Sequence, residues 1–587
     1  MKRLDFYHRP KSEMAYAKQN DTIEIIFKAP YANQHRIEII YGDPFMWQKN
    51  ESGTSRSWAS KKTTMNHYLN TSDHQFYIQS LNLKTKRVKY AFLIDERYLY
   101  GSKYLIDIKD NNNALSNLDN FFNYPYILTE DMYHAPKWVE NTKWYSIFPD
   151  RFHRFNDNQE ITHEWNSVQH YNNRMIFGGN IQGIIAKLDY IKSLGFNGIY
   201  LTPIFKAGSS HKYDTIDYFD IDPQFGTKKD FKQLVDELHQ RNMKIMIDAV
   251  FNHVSYHHPF FQDIVEKEEN SKYFDYFYIH SFPCTKVAYN NAVKESKQIP
   301  YESFAFTPNM PKLNTSNPNL RQYLLNVATY WIENFDIDGW RLDVSNEISH
   351  DFWRSFRKKC KAVKDDLFIL GENWDNSYPW LAGDQHDGVM NYEFTFSLWQ
   401  FYDPSNKLTY NANDLKDALV NTIVSYPKIV LNQLFNLLDS HDTKRIFSVL
   451  DKNMNQAKQI YAFMALLPGM PSIFYGSEIP LEGNDDPDNR RCMPWNEANE
   501  GTYFQTFIQS LFKAYSFHQG FSDSNIEFNV LSDDVIIVRK PDLIGIFNRG
   551  ESTFSLRKSI NGIDVLNDTF ISINLIEANS FKILSLK

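Results

Sequence analysis

Residues 227–248 have the sequence TKKDFKQLVDELHQRNMKIMID and contain one complete helix-and-strand repeat. Thr227, with Asp230 three residues later, has the pattern of a helix N-cap. Apolar residues then recur at helical spacing, at Phe231, Leu234, Val235 and Leu238. The chain turns and continues as the apolar run 245–247, of the kind that is buried on both faces of a sheet, and ends at Asp248. Helices that alternate with buried strands predict a parallel sheet.

The same rhythm repeats through the middle of the chain. One helical face is predicted at Ile181, Ile184, Ile185 and Leu188, with Gly195 as the stop before the strand 198–201. The predicted strands number eight, and they end at or near Phe148, Thr202, Asp248, Asp343, Glu372, Asn391, Asp439 and Tyr475. Eight such repeats predict an α/β fold of the (β/α)8 type, a TIM barrel.

Three further regions flank or interrupt the predicted barrel, which we place at residues 126–518. Short β-prone runs separated by turns predict an N-terminal β-sandwich over residues 1–125. Residues 254–309 are too many for an ordinary βα loop, so they predict an inserted subdomain after strand 3. Strand-like runs near the end of the chain predict a C-terminal antiparallel β-domain over residues 519–587.

Composition excludes some classes of partner. The 587 residues carry a formal charge of -8 with no basic run, which argues against nucleic acid. Aromatic residues reach 16%, which either carbohydrate stacking or large cores would explain. The three cysteines are far apart and lack metal-site spacing, so free thiols in a reducing compartment are expected. No signal-peptide pattern opens the chain and no apolar run approaches the roughly 18 residues of a membrane span, so we expect a cytoplasmic protein without a membrane partner.

Acidic residues follow several of the predicted strands. The C-terminal ends of barrel strands share one mouth, so Asp343, Glu372 and Asp442 are expected to be neighbours. Arg341 and Asp343 share one strand face, and a guanidinium favours the ionised carboxylate that a nucleophile requires. Glu372 follows an apolar run and precedes Trp374, surroundings that favour a protonated general acid. A structural ion pair and a carboxylate that caps a strand end are the alternatives.

Two histidines complete this set and raise the alternative of a metal hydrolase. His253 and His441 with three carboxylates resemble the ligand sets of such barrels. Against a metal, Arg341 beside Asp343 would repel the ion, and no His-x-His pair ends the first strand. Two carboxylates, with a third carboxylate and imidazoles to hold hydroxyls, favour glycoside hydrolysis. Tyr213 lies in a polar loop, which makes it a candidate for stacking on a sugar.

Four segments in this order resemble the α-amylase family of glycoside hydrolases: residues 248–253, 339–347, 371–374 and 438–443. The resemblance implies that Asp343 is the nucleophile, that Glu372 is the acid/base, and that Asp442 holds sugar hydroxyls and favours the distorted transition state. It also implies a cleavage subsite that contains Tyr213, His253, Arg341 and His441.

Within that family, residues 310–314 and 344–347 are similar to the neopullulanase, cyclomaltodextrinase and maltogenic amylase group. The similarity implies a retaining enzyme that cleaves α-1,4 bonds of cyclomaltodextrins, short maltodextrins and pullulan, with transglycosylation. The substrate contacts implied are Asn346, Glu347, Trp374, Asp486 and Arg490. An α-1,6-glucosidase of the family is one alternative, although residues 310–314 disfavour it. A non-catalytic glycan-binding homologue is another, although none of the three carboxylates is missing.

Residues 41–45 resemble the starch-binding-type N-terminal domain of this group, which implies a homodimer in which that domain packs over the active site of the other subunit. Phe45 and Trp47 are then candidates to touch substrate, and burial in the sandwich core is the alternative. No cofactor is expected. The calcium loop of the family is altered here, and Asn156, Asp157 and Asn180 are the remaining weak candidate ligands. Loss of carboxylate charge weakens such a site.

Overall fold

The computed structural model describes residues 2–19, 21–31, 35–49, 56–111, 113–155, 161–167, 170–285, 299–403, 405 and 410–586. The chain divides into two compact units. The first contains Met1–His134, Tyr378–Asp384 and Tyr410–Leu431, and the second contains Ala135–Ser377, Gln385–Thr409 and Asn432–Lys587.

The first unit is built mainly from antiparallel strands. These are β1 Ala15–Gln19, β2 Thr22–Pro30, β3 Ile37–Gly42, β4 Trp47–Lys49, β5 Arg56–Trp58, β6 Lys61–Thr64, β7 Asn66–Asn70, β8 His74–Asn82, β9 Val88–Ile94, β10 Tyr98–Tyr100, β11 Leu105–Asp107 and β12 Phe122–Tyr124. One sheet has the order β1-β2-β8-β7 and another the order β11-β10-β9-β3-β6. Ile25 and Phe27 of the first sheet share a buried cluster with Ile39 and Phe92 of the second. The predicted β-sandwich is confirmed.

The second unit contains the barrel. Eight strands pair in parallel in the order β20-β19-β18-β17-β14-β13-β22-β21, and a parallel bridge between Met390 and Phe435 joins the two ends. Their bounds are β13 Trp144–Ile147, β14 Gly198–Leu201, β17 Lys244–Ala249, β18 Gly339–Leu342, β19 Phe368–Gly371, β20 Gly388–Val389, β21 Phe435–Asn436 and β22 Met470–Phe474. A hairpin of β15 Phe205–Ala207 and β16 Thr215–Ile221 follows β14. The TIM barrel is confirmed, with all eight strands at the predicted places.

Helices alternate with the barrel strands. Those described in the second unit are Pro149–Phe152, Ile181–Ala186, Leu188–Ser193, Lys228–Gln240, Pro259–Lys267, Pro318–Phe335, His350–Val363, Tyr392–Tyr402, Ile446–Val449, Met454–Leu466, Trp495–Glu500 and Tyr503–Phe517. The helix Ala412–Val424 belongs to the first unit. The helix Lys228–Gln240 has the predicted capping box at Thr227 and buries the predicted face. One prediction needs refinement, because the face that begins at Ile181 is divided between two short helices at Lys187, whose backbone is not helical. No described helix is long and apolar enough to cross a membrane.

Two additions to the barrel were also predicted. Between β17 and β18 the chain forms the helix Pro259–Lys267 and short 3-10 turns, while residues 286–298 of this predicted insertion lie outside the described part. After the last helix, six antiparallel strands have the order β23-β24-β25-β28-β26-β27. They are β23 Glu527–Ser532, β24 Val535–Arg539, β25 Leu543–Asn548, β26 Phe554–Asp564, β27 Thr569–Ile576 and β28 Ser580–Ser585. The C-terminal antiparallel β-domain is confirmed.

Candidate active site

Carboxylates from four neighbouring parts of the barrel surround one buried arginine. The Arg341 Nη1 atom lies 2.7 Å from Asp343 Oδ1 and 3.0 Å from Asp248 Oδ2. Its Nη2 atom lies 2.9 Å from Glu372 Oε2 and 3.9 Å from Asp442 Oδ2. Asp248 belongs to β17, Arg341 to β18, and Asp343 and Glu372 directly follow β18 and β19. The predicted carboxylates therefore meet at one mouth, with a guanidinium between them.

Asp248 was not among the predicted site residues, although it lies in this cluster. It is fully buried and accepts hydrogen bonds from the hydroxyls of Tyr200 at 2.6 Å and Tyr213 at 3.0 Å. The sequence does contain the signal that would have found it, since Asp248 ends an apolar strand as Asp343 and Glu372 do. Its contacts make it the anchor for Arg341 and Tyr213.

The protonation of the cluster differs from the expectation drawn from Arg341 alone. Burial raises the pKa of Asp343 well above its usual range, and the carboxylates of Glu372 and Asp248 add to this, while Arg341 opposes it. Burial likewise raises the pKa of Asp248 to about 6, with Arg341 and Tyr200 opposing. Arg341 does favour the ionised form of Asp343, as expected, but desolvation and the neighbouring negative charges outweigh that one contact, so the pKa of Asp343 rises.

Glu372 is held by donors from two chain segments. Its Oε2 atom accepts a 2.8 Å hydrogen bond from the amide of Val344, and its Oε1 atom accepts a 3.0 Å bond from the indole of Trp374. Val344 has φ 45° and ψ 45°, a left-handed conformation that costs a β-branched residue about 1–3 kcal/mol. This strained backbone directs the amide at Glu372.

The two predicted histidines are buried at the same mouth. Burial, with the nearby charge of Lys312, lowers the pKa of His253 to about 3. Burial also lowers the pKa of His441 well below its usual value, assisted by Arg341. The Tyr213 ring stacks on His441 at 5.5 Å with an interplanar angle of 5°, and its hydroxyl bonds to His441 Nε2. Neutral imidazoles can each donate one hydrogen bond, which suits them to hold sugar hydroxyls.

A second arginine, Arg490, contacts two of the predicted site residues, Asp442 and Asp486. Arg490 Nη2 lies 3.5 Å from Asp442 Oδ1, and its Nη1 lies 2.7 Å from Asp486 Oδ1. Its Nε donates to the His441 carbonyl at 2.8 Å. Burial raises the pKa of Asp442 and of Asp486, and Arg490 opposes both shifts. These contacts fix the third carboxylate beside the cluster.

The cluster opens into a cavity of about 1100 Å³, larger than most small-molecule pockets. Of the predicted residues, those that line it are Tyr213, His253, Asp343, Asn346, Glu372, Trp374, Asp442, Asp486 and Arg490. Glu347 is not part of this lining, and its Oε2 lies 2.9 Å from Lys312 Nζ. Lining residues that the sequence did not single out include Asn173, His211 and Phe304. Phe304 lies in the insertion, where no motif marked it.

Phe45 and Trp47 belong to the first unit. Phe45 is 75% exposed and Trp47 45% exposed, so the alternative that both lie in the sandwich core is wrong. The Arg87 guanidinium lies 5.4 Å from the centre of the Phe45 ring. Both aromatic side chains are therefore accessible on the surface of this unit.

Of the three candidate calcium ligands, Asn156 and Asp157 lie outside the described part of the chain. The side chain of Asn180 accepts from the Gly183 amide and donates to the Phe155 carbonyl. The Arg154 guanidinium donates to the carbonyls of Phe177 at 2.9 Å and His163 at 3.4 Å. The Arg154 guanidinium therefore already bonds carbonyls of this loop. Among the described residues, no group of three or more His, Cys, Asp or Glu side chains is placed to hold a metal ion.

Comparison with protein families places this geometry in a known context. The family model described as "Alpha amylase, catalytic domain" matches residues 146–540. The chain belongs to the α-amylase family. A second model, "Alpha amylase, N-terminal ig-like domain", matches residues 1–128 of this family member. The four segments that carried the resemblance all lie within the catalytic match.

This α-amylase family enzyme is similar along most of its length to named relatives. It is 38% identical over 559 residues to "Intracellular maltogenic amylase" of Bacillus subtilis, covering 93% of this chain and 90% of that one. It is 36% identical over 516 residues to "Neopullulanase 2" of Thermoactinomyces vulgaris, covering 86% and 83%. A solved structure titled "Cyclomaltodextrinase" superimposes with a TM-score of 0.89 at 32% identity, covering 100% of each chain.

Proposed function

We propose that this protein is a retaining α-glucan hydrolase that cleaves α-1,4 bonds in cyclomaltodextrins, short maltodextrins and pullulan. The observation that carries the proposal is the position of Arg341, which is within 4 Å of Asp248, Asp343, Glu372 and Asp442. Of these carboxylates, Asp343, Glu372 and Asp442 line a large cavity. Paired carboxylates beside a sugar-sized space are the requirement for glycoside hydrolysis.

In the first step, the Asp343 carboxylate attacks the anomeric carbon and forms an ester with it. The bond from that carbon to the glycosidic oxygen breaks, and Glu372 gives its proton to the departing oxygen. Burial strengthens the interactions that stabilise the positive charge developing on the sugar ring, because fewer water molecules screen them. Asp442 and the neutral imidazoles of His253 and His441 hold hydroxyls of that ring.

In the second step, the ionised Glu372 takes a proton from water, and the oxygen of that water attacks the anomeric carbon. The ester bond to Asp343 breaks, and the configuration at the anomeric carbon is retained after two displacements. A sugar hydroxyl in place of water gives transglycosylation, which we include in the proposal.

The substrate class rests on the names of the relatives and on the shape of the site. The relatives are named for maltogenic, cyclomaltodextrin-cleaving and pullulan-cleaving activity. Aromatic rings at Tyr213, Phe304 and Trp374 line the cavity, and such rings stack on the apolar faces of sugars. We assign Asn346, Asp486 and Arg490 to substrate contact. We assign Glu347 a supporting role, because it pairs with Lys312 and does not line the cavity.

The test compares β-cyclodextrin, pullulan, soluble starch and maltotriose in one series, with product analysis for each. Maltose and glucose from β-cyclodextrin, together with panose from pullulan, are expected, and Asp343→Asn should abolish them. The products formed from panose and isomaltose as substrates distinguish the proposed α-1,4 hydrolase from an α-1,6-glucosidase. Untouched β-cyclodextrin and maltotriose, with Asp343→Asn indistinguishable from the wild type, would rule the proposal out.

For assembly and location we also propose a homodimer that works inside the cell. The exposed Phe45 and Trp47 support an interface at the N-terminal region, and they are our candidates for contact with substrate from that interface. The name of the Bacillus subtilis relative and the three buried free cysteines support an intracellular location. Sedimentation of the wild type beside Phe45→Ser/Trp47→Ser tests the interface: a dimer that dissociates in the double variant is expected, and a wild-type monomer would contradict it.

A further inference from the structure

The loop 440–443, which follows β21, carries two of the groups that we assign to the sugar, His441 and Asp442. Two of its hydrogen bonds stay within the loop. The Thr443 hydroxyl accepts from the Ser440 amide at 2.9 Å, and the Ser440 hydroxyl accepts from the Asp442 amide at 3.1 Å. These bonds shape the loop, but its position on the barrel has to be set by residues outside it.

Asn489 bonds this loop from outside at three points. Its Nδ2 atom donates to the carbonyls of His441 and Thr443, each at 2.8 Å, and to that of Ser440 at 3.3 Å. The side chain is fully buried, and it is not among the described residues that line the cavity. An amide nitrogen has two hydrogens, so the three carbonyls engage its whole donor capacity. In the described part of the chain its Oδ1 atom has no partner, so the side chain bonds this loop alone.

Asn489 is itself attached to the barrel. The buried Arg445 guanidinium donates from Nε to the Asn489 carbonyl at 2.7 Å and from Nη1 to the Tyr475 carbonyl at 2.5 Å. Tyr475 directly follows β22, so this arginine connects Asn489 with the end of a barrel strand. The chain also packs closely here, because a Cβ atom on Gly483 would lie 2.6 Å from Asn489 Cα. The loop 440–443 is therefore joined to the barrel through Asn489.

The Asp442 carboxylate has longer contacts of its own with two arginines. Arg490 Nη2 lies 3.5 Å away and Arg341 Nη2 lies 3.9 Å away. Contacts of this length hold a carboxylate less tightly than hydrogen bonds of 2.8 Å do. Arg490 adds one short bond to the backbone of the loop, at the His441 carbonyl. The positions of Asp442 and His441 thus depend on the backbone of the loop, and through it on Asn489.

We propose that Asn489 is a positioning residue, which holds the loop 440–443 so that Asp442 and His441 meet the sugar ring in its transition state. It acts through the loop and touches no sugar. An asparagine suits this place because an aspartate of the same shape would turn carboxylate oxygens toward three carbonyl oxygens. The inference rests on the proposed function, and it adds a residue behind the cavity wall to the groups that support that reaction.

The experiment uses the full-length protein and measures kcat and KM for the hydrolysis of α-maltosyl fluoride. Asn489→Ala removes the three bonds to the loop. Asn548→Ala is the matched control, because the buried Asn548 of β25 also donates from Nδ2 to three carbonyls, those of Ser552, Ile576 and Glu577. Asn489→Ser keeps one hydroxyl donor, and it takes the place of the alanine variant in every comparison if that variant does not fold.

A double-mutant cycle with Asp442→Asn separates positioning from a loss of folded protein. In the otherwise wild-type chain, Asn489→Ala should lower kcat by about 100-fold with KM little changed, because misplaced groups lose contacts made in the transition state. With Asp442→Asn already present, the loss should be smaller by a factor of about three or more, since one of the two positioned groups is gone. Partial unfolding would instead lower kcat by the same factor in both backgrounds. Asn548→Ala should leave kcat unchanged.

The inference would be overturned if the change at position 489 lowered kcat equally in both backgrounds, or left kcat unaltered in the wild-type background. An Asn548→Ala variant whose kcat falls as far as that of Asn489→Ala would also overturn it. Any of these results, found together with an inactive Asp343→Asn, leaves the proposed function standing. An Asp343→Asn variant as active as the wild type would instead overturn the proposed function itself.

Discussion

The Nη1 atom of Arg341 lies 2.7 Å from Oδ1 of Asp343, and the Nη2 atom of the same guanidinium lies 2.9 Å from Oε2 of Glu372. One planar cation thus joins the proposed nucleophile and the proposed acid/base. A guanidinium can bond two carboxylates in a fixed geometry, which an ammonium group cannot do. Arg341 therefore lies between the two proposed catalytic groups, with a hydrogen bond to Asp343 and a close charge contact with Glu372.

Removal of this cation should be costly and dependent on pH. Arg341→Met leaves buried carboxylates unpaired, so we expect the free energy of unfolding at pH 7 to fall by about 3–5 kcal/mol. Carboxyl groups whose folded pKa is raised bind protons more tightly in the folded state, so they destabilise the fold as pH rises. Urea unfolding should show a smaller deficit at pH 5 than at pH 7. An equal deficit at both pH values would contradict this account of the cluster.

The acid limb of activity should lie well above the ordinary pKa of an aspartate. Burial raises the pKa of Asp343 and brings that of Asp248 to about 6, and attack requires an ionised Asp343. We expect the acid limb of kcat/KM on β-cyclodextrin to lie at a pH well above the ~3.9 of an unperturbed aspartate. Melting temperatures measured at the same pH values separate loss of fold from loss of activity. Full activity retained at pH 4.5 would refute the expectation.

Gly371, directly before Glu372, has no space for a side chain. A Cβ atom there would lie 2.3 Å from His386 Nδ1 and 2.9 Å from Ser345 Oγ. Gly371→Ala should cost about 1–3 kcal/mol of stability and reduce kcat by displacing Glu372. His386→Ala opens the space, so the double variant should recover part of both losses. If Gly371→Ala alone behaved like the wild type, close packing behind Glu372 would not matter.

The altered calcium loop should make the enzyme insensitive to chelators. Arg154 already bonds the carbonyls of Phe177 and His163. We expect neither EDTA nor millimolar calcium to change the melting temperature, whereas Arg154→Ala should lower stability by about 1–3 kcal/mol. Differential scanning calorimetry of both proteins measures this. A melting temperature that rises with calcium in the wild type would show that metal still binds.

The barrel strands were predictable because most are short apolar runs that end at or near a polar residue. The capping box at Thr227 was predictable for a similar reason, since its signal is local. The interruption at Lys187 had no local signal, because the apolar spacing of Ile181 and Leu188 suits one helix as well as two.

The site was predicted less completely than the fold. The spacing of Arg341 and Asp343 in the sequence correctly predicted that they are neighbours. The pKa of Asp343, however, depends on the burial of the whole cluster and on Asp248, which are properties of the folded chain. The exposure of Phe45 was equally beyond the sequence, since an aromatic residue in a β-prone region suits either a core or a surface. The limits of the three predicted domains remain predictions.

The most direct test of the central claim is the capture of the covalent intermediate. In Glu372→Gln the proposed acid/base is lost, and α-maltosyl fluoride needs little protonation of its leaving group, so the ester to Asp343 should form and persist. Intact-mass measurement and peptide mapping should find one maltosyl group attached to Asp343, and none in Asp343→Asn. A maltosyl group on another residue, or β-configured products released without any adduct, would contradict the account.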